Sequence, residues 1–308
     1  ADFIAARYGK SQSLAVVVAL ICLVGVLPYI ALQLKGIVLG VNLLIGAGAD
    51  AMGVRAQDTA LIVSLVLALF TIVFGTRNLD ATEHHRGMVL AIAFESLVKL
   101  FAFLAVGAFV TYGLYDGFDD LFDQAMLAPR LEAYWKETIN WPSMVVQTGV
   151  AMMAIICLPR QFHVTVVENI DPQDLNLAKW VFPAYLALAA LFVVPIALAG
   201  QMMLPSSVLP DSFVISLPRA QCRPALAMLA FIGGASAATG MVIVASVALS
   251  TMLSNDLLLP WLLRRNNAER PFEVFRQWML SARRVSIVVI LLLAYVSYRL
   301  LGSTASLA

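Results

Sequence analysis

The stretch that decides the fold is Pro224-Ala225-Leu226-Ala227-Met228-Leu229-Ala230-Phe231-Ile232-Gly233-Gly234-Ala235-Ser236-Ala237-Ala238-Thr239-Gly240-Met241-Val242-Ile243-Val244-Ala245-Ser246-Val247-Ala248-Leu249-Ser250-Thr251-Met252-Leu253-Ser254-Asn255, in which no residue is charged. As an α-helix rising 1.5 Å per residue it would be about 48 Å long. That exceeds the roughly 30 Å hydrocarbon core of a bilayer, so a helix over about 225–259 crosses the membrane and runs past it to Pro260. Apolar residues surround the helix on all sides, which leaves no polar face for water.

Six further stretches have the same character, at about 14–34, 59–74, 88–112, 143–158, 177–203 and 285–301. The second and fourth of the seven are short, near the lower limit for crossing. No alternating strand pattern of the kind a membrane barrel needs is present. The expected architecture is therefore an all-α, polytopic membrane protein with seven transmembrane helices in one membrane domain over 1–308. Composition agrees. Of 308 residues 61% are hydrophobic and 13% charged, about half the charge of a soluble domain, and the mean hydropathy is +0.87.

Lys and Arg orient the chain. One set of loops holds Arg7, Lys10, Arg77, Arg86, Arg160, Lys179, Arg264, Arg265, Arg270, Arg276, Arg283 and Arg284; the other holds Lys35, Arg55, Arg130, Lys136, Arg219, Arg223 and Arg299. The richer set is expected in the cytoplasm, with the N-terminus inside. The loop with Asp116, Asp119, Asp120 and Asp123 sets Phe118, Leu121, Phe122 and Met126 at helical spacing, either as an interfacial helix or as a plain surface helix.

The net charge of +1 gives no global field for nucleic acid. Cys22, Cys157 and Cys222 lack metal-ligand spacing and read as small apolar residues. His84, His85 and His163 read as solvated loop histidines, and no metal or other cofactor is expected. Phosphate-binding glycine loops and nucleophile elbows are absent, so no enzyme and no catalytic residue is expected in this segment. The chain begins at Ala1 without an initiator Met or a signal peptide and stops soon after an apolar run; both ends read as cut.

Glu95 and Lys99 are the most informative residues. They lie inside the third span, one turn apart, on one face of a helix. A charge at the bilayer centre costs about 2.5–3.5 kcal/mol on insertion scales. Each must face a partner or water, either as a structural ion pair or as part of an ion or substrate path. In the first span Pro28 removes a backbone hydrogen bond and can kink the helix, beside Tyr29 and a membrane-depth Gln33. Gly36 and Gly40 form a GxxxG pair suited to packing. Gln147, Thr148 and Gly149 weaken the fourth span, which either opens main-chain groups to a ligand or simply packs closely. The small residues Gly233 to Gly240 permit close helix approach, and an ion site would also fit there.

Ala1-Asp2-Phe3-Ile4-Ala5-Ala6-Arg7-Tyr8-Gly9, Gly36-Ile37-Val38-Leu39-Gly40, Leu158-Pro159-Arg160-Gln161-Phe162-His163 and Ser254-Asn255-Asp256-Leu257 resemble the sodium:solute symporter family over essentially the whole chain. Gly75 to Met88, Pro159 to Asn169 and Ser236-Ala237-Ala238-Thr239 look most like the transporter module of CbrA-type sensor histidine kinases. The resemblance implies a LeuT-like inverted repeat of five plus five helices, of which the chain holds the third to ninth core helices. It places a first core helix upstream and a kinase outside the segment. It implies a secondary transporter for an amino acid such as histidine in the bacterial inner membrane, fused to a histidine kinase that signals to a response regulator. A receptor module that senses without carrying, and a stand-alone symporter for proline or a carboxylate, are the alternatives.

In that fold the first, fourth and sixth spans line the cavity, which points to Tyr29, Gln33, Gln147, Thr148 and Met152 for substrate. Ala151 and Ile155 stand where proline carriers of the family have aromatic residues, which speaks against proline. Sodium-coupled members place a small residue on the long helix and two hydroxyl residues three and four positions later. Here Ala237 takes the small position, and Gly240 and Met241 stand in place of the hydroxyls; a one- or two-residue slip would bring in Thr239. With Lys99 and Glu95 nearby, the coupling ion implied is the proton rather than sodium.

The orientation is testable by single cysteines at Asp120 and Arg265 in a cysteine-free background. An impermeant reagent applied from outside should label the first and spare the second; the reverse pattern would invert the topology.

Overall fold

The computed structural model describes residues 1–45, 56–75, 86–136, 138, 140–169, 171, 173–260 and 272–301. His84, His85, most of the Gly75 to Met88 stretch, and Arg264, Arg265 and Arg270 lie outside these. Among the described residues the chain is helical, with no strand. It is a multi-pass helical membrane protein. Among the described residues five helices are long and apolar enough to cross a bilayer, and a bent pair, Trp141–Ala154 with Pro159–Val167, makes a sixth if it counts as one span. The second expected span holds a shorter apolar helix, Thr59–Val73.

The helices are α1 (Asp2–Arg7), α2 (Gln12–Ile45), α3 (Ala56–Gly75), α4 (Arg86–Phe109), α5 (Phe118–Leu127), α6 (Glu132–Lys136), α7 (Trp141–Cys157), α8 (Pro159–Phe162), α9 (Asp174–Ala190), α10 (Val193–Met203), α11 (Phe213–Ala220), α12 (Pro224–Met252) and α13 (Phe272–Leu301). Wider π turns extend α4 over Val110–Leu114, α8 over His163–Val167 and α12 over Leu253–Leu258. Helix α2 runs unbroken through Pro28 and well beyond the expected end at residue 34. The expected span at 177–203 divides into α9 and α10 at Leu191–Phe192. Pro195 has no N–H to give the Leu191 carbonyl, which accounts for a break at that point.

Two apolar cores form. In the first, Val26, Ile30, Leu34 and Ile37 of α2 meet Leu67 and Ala68 of α3, Val242, Ala245 and Leu249 of α12, and Ile287, Ile290 and Leu291 of α13. In the second, Val106 and Val110 meet Leu121 of α5, Phe192 just ahead of α10, Ile196 and Ala199 of α10, Phe213 and Leu217 of α11, and Ala230 of α12. Among the described residues α12 alone contributes buried residues to both. In the second core Leu121 and Ala125 of α5 are fully buried against the protein, while Met126 and Leu127 are exposed. In the acidic loop ahead of α5, the Asp116 backbone N–H donates to Asp120 Oδ2 (3.1 Å) and the Gln124 amide to Oδ1 (2.9 Å). Gln124 first, then Asp116, holds the Asp120 carboxyl below its ordinary pKa.

The two ends of the bundle are tied separately. At one end Gln12 Nε2 donates to the Asp256 carbonyl (2.8 Å), and the Phe3 and Phe162 rings meet at 5.5 Å. At the other, Arg219 donates to the Leu43 carbonyl in the last turn of α2, and Arg130 to the Leu204 carbonyl at the end of α10 (3.0 Å). Helix C-termini leave carbonyls without intrahelical partners, and two arginines of the sparser charge set occupy them.

Close helix approach depends on specific glycines. A Cβ on Gly107 would overlap the Phe192 side chain, one on Gly200 would overlap Phe213, and one on Gly40 would stand 2.6 Å from the Phe231 ring. Of the expected GxxxG pair, Gly40 packs while Gly36 has nothing within 4 Å. Gly200→Val should therefore destabilise the protein by about 1–3 kcal/mol through overpacking, and Gly36→Ala should be near neutral. Thermal unfolding of the two variants in lipid nanodiscs checks this; equal losses would count against the packing described.

Candidate functional site

The site forms where α2, α4, α8 and α12 meet, at the seam between the two cores. Helices α4 and α12 cross antiparallel in close contact. A Cβ on Gly233 would lie 2.5 Å from the Ala102 Cβ and 3.5 Å from the Lys99 Cα. Two helical turns on, a Cβ on Gly240 would overlap the carboxylate of Glu95. The stretch of small residues thus packs α12 on α4, and at Gly240 the lost side chain leaves room for a charged group. Glu95 stands about 13 Å along α4 from Arg86, and Lys99 about 20 Å, which puts both inside the apolar span Val89–Leu114.

Glu95 and Lys99 share the face turned to α12, yet no ion pair joins them. Glu95 is half-buried and Lys99 keeps an exposed side chain. The pairing suggested by their spacing is therefore not made; the Glu95 carboxylate lies against Gly240 instead.

Arg160 was expected in a cytoplasmic loop. The structure instead turns the chain at Leu158, where α7 ends and Pro159 starts α8, and brings Arg160 back onto the bundle. Its Nη1 donates to the Tyr29 hydroxyl, and its guanidinium lies over the Tyr29 ring, 5.1 Å from the centroid. Tyr29 in turn donates to Met241 Sδ (2.8 Å). A hydrogen-bonded, cation–π chain thus links α8 to α2 and α12. The sequence signal for Arg160 was slight: a Pro-Arg pair directly after a span too short to cross with ease.

The other expected residues fall in two groups. Tyr29 meets Met241 and Glu95 meets Gly240 at consecutive positions of α12, while Lys99 lies one turn further along α4, its Cα beside Gly233. Ala237 and Thr239 lie nearby on α12, both half-buried, with the Thr239 hydroxyl bonded to the Ala235 carbonyl of its own helix (2.8 Å). Gln33 is half-buried one turn beyond Tyr29 and makes no hydrogen bond among the described residues. Gln147, Thr148 and Met152 are exposed on α7, a helix whose main packing partner is α8. Their polar groups are met locally, by Ser143 for Gln147 (3.4 Å) and by the Met144 carbonyl for Thr148 (2.8 Å). The structure does not bring these three to Tyr29.

His163 is not a solvated loop residue. Its side chain is 13% exposed, and its Nε2 lies 3.3 Å from Oε1 of a buried Glu168. Among the described residues no group of His, Cys, Asp and Glu is arranged to hold a metal ion.

The contact of Glu95 with Gly240 predicts a coupled pair. Gly240→Ala should destabilise the protein by about 1–3 kcal/mol, the usual cost of overpacking. The loss should largely disappear in the Glu95→Ala background, since the added methyl then fills vacated space. A double-mutant cycle on unfolding in nanodiscs reads the coupling; additive effects would mean that the two residues do not touch.

Compared with known proteins, the chain matches no family model, no curated protein and no solved structure.

Proposed function

We propose that the chain is the membrane domain of a secondary active transporter, a symporter for a small solute such as the amino acid histidine. In this reading the helices belong to a LeuT-like five-plus-five bundle of the bacterial inner membrane. The full-length protein carries a sensor histidine kinase that signals to a response regulator. The resemblance of Leu158 to His163 and of Ser254 to Leu257 to sodium:solute symporters supports the family.

The observation that carries the reading is the placement of Glu95 against Gly240 inside an apolar bundle, next along α12 to Met241, on which Tyr29 and Arg160 dock. Ionisable groups at such depth are costly, and they mark ion or substrate paths. The coupling ion proposed is the proton. Sodium is a hard cation that favours oxygen ligands, and Gly240 and Met241 bring no side-chain oxygen to the α12 face beside Glu95. Glu95 supplies a carboxylate able to take up and release a proton there.

Uptake into proteoliposomes holding the full-length protein tests this. Accumulation should survive replacement of sodium by choline and collapse with a protonophore. Glu95→Gln keeps the shape and removes the proton-binding carboxylate, and should cut accumulation at least tenfold. Binding without any accumulation would favour the receptor alternative, and sodium-driven uptake indifferent to the pH gradient would overturn proton coupling.

A further inference from the structure

Between α1 and α2 the chain turns through two left-handed residues, Gly9 (φ 67°) and Lys10 (φ 56°). The Lys10 N–H donates to the Ala5 carbonyl (2.9 Å), which closes the end of α1. The turn lays α1 on α2, with Ala5 and Ala15 buried. It leaves a cleft of about 280 Å³ lined by Ala5, Ala6, Lys10, Ser11, Gln12 and Ala15. The lining carries one charge, the ammonium of Lys10, which has no acidic partner among the described residues. Ser11 Oγ accepts from the Leu14 N–H (3.4 Å) and donates to no acceptor among the described residues. Gln12 is held in place by its bond to the Asp256 carbonyl (2.8 Å). An ammonium and a hydroxyl in one small cleft suit a phosphate oxygen.

The surroundings say what carries that phosphate. Positions 3, 4, 7 and 8 share one face of α1, and Phe3, Ile4, Arg7 and Tyr8 are all exposed there. The Arg7 guanidinium lies over the Phe3 ring, 5.6 Å from its centroid. Aromatic and basic residues on one open face belong at the headgroup level of a bilayer. The apolar run of α2 begins at Leu14, directly after the cleft, which sets the cleft at the membrane surface. Along α2, Val17, Leu20, Ile21 and Val24 then follow at helical spacing as an exposed apolar stripe. The cleft itself is smaller than the roughly 300–1,000 Å³ of sites for drug-sized ligands. It has room for a headgroup and leaves acyl chains to the stripe.

We propose that the cleft between α1 and α2 binds the headgroup of an anionic phospholipid. Lys10 and Ser11 take the phosphate, Arg7 adds charge from the face of α1, and the acyl chains lie along Val17 to Val24. Basic residues flanking a span are drawn to an anionic leaflet, and Arg7 and Lys10 belong to the richer of the two charge sets. The site requires only that the chain spans a membrane, and it stands apart from the transport reading. Phe3 of α1 also meets Phe162 of α8 at 5.5 Å, so a lipid that holds α1 steadies α8 as well.

Native mass spectrometry of the full-length protein in detergent tests this. The protein is titrated with phosphatidylglycerol or with phosphatidylcholine of the same acyl chains, and the first lipid retained is followed. Phosphatidylglycerol should bind clearly more tightly. Lys10→Gln should raise its Kd about fivefold, the effect of one basic residue at an anionic surface, and Arg7→Gln should raise it less. Lys179→Gln removes an exposed cation of the same charge set on α9 and should leave the Kd unchanged. A large excess of inorganic phosphate should not displace the lipid. Equal affinity for the two lipids overturns the proposal. So does an unchanged Kd in Lys10→Gln, or an equal rise in Lys10→Gln and Lys179→Gln, which would mean diffuse attraction to the whole surface. Displacement by inorganic phosphate also overturns it, since the cleft would then take the free ion. The comparison of the two lipids on the wild-type protein holds even where a variant fails to fold.

Discussion

The close crossing of α4 and α12 is the contact on which the rest of the structure depends. In a bilayer the hydrophobic effect does not drive helices together, because lipid is as apolar as leucine; close packing and buried polar contacts do. Gly233 and Gly240 present bare backbone to α4, so the helices approach until a methyl group would not fit. This seam joins the two apolar cores, with Ala230 of α12 in one and Val242, Ala245 and Leu249 in the other. It also places Glu95, whose carboxylate lies against α12.

The tyrosine–arginine contact does comparable work at the next position of α12, Met241. Helix α7 shows an almost wholly exposed, apolar surface, and the turn at Leu158 and Pro159 sends the chain back toward the bundle. Arg160 docks on Tyr29, and Tyr29 on Met241, so that α2, α8 and α12 share one polar contact inside an apolar bundle. A guanidinium stacked on an aromatic face is stabilised by the ring quadrupole as well as by hydrogen bonding, most strongly where water is scarce.

Arginine also closes the bundle at its far end. Arg219 and Arg130 donate to carbonyls at the ends of α2 and α10, groups that the helices themselves leave without partners. The long, charged side chain thus serves two purposes in one chain. At the helix ends it caps backbone, and at Tyr29 it brings charge into the membrane domain.

The sequence by itself determined that this chain is a bundle of membrane-spanning helices, because apolar runs of bilayer length have no stable alternative fold in water. It also marked Glu95 and Lys99, since two charges in such a run stand out against everything around them, and it marked the small residues of α12 as a packing face. Tertiary structure alone decided how these charges are used. Spacing along one helix suggested that Glu95 pairs with Lys99, but spacing cannot register a neighbouring helix whose missing side chain accepts the carboxylate. Nor could local sequence reveal that Arg160 folds back onto Tyr29, that His163 is buried beside Glu168, or that Gln147 and Thr148 point away from the bundle. Each of these depends on which faces meet across helices far apart in the chain, and that is settled by the fit of side chains into gaps such as those at Gly233 and Gly240.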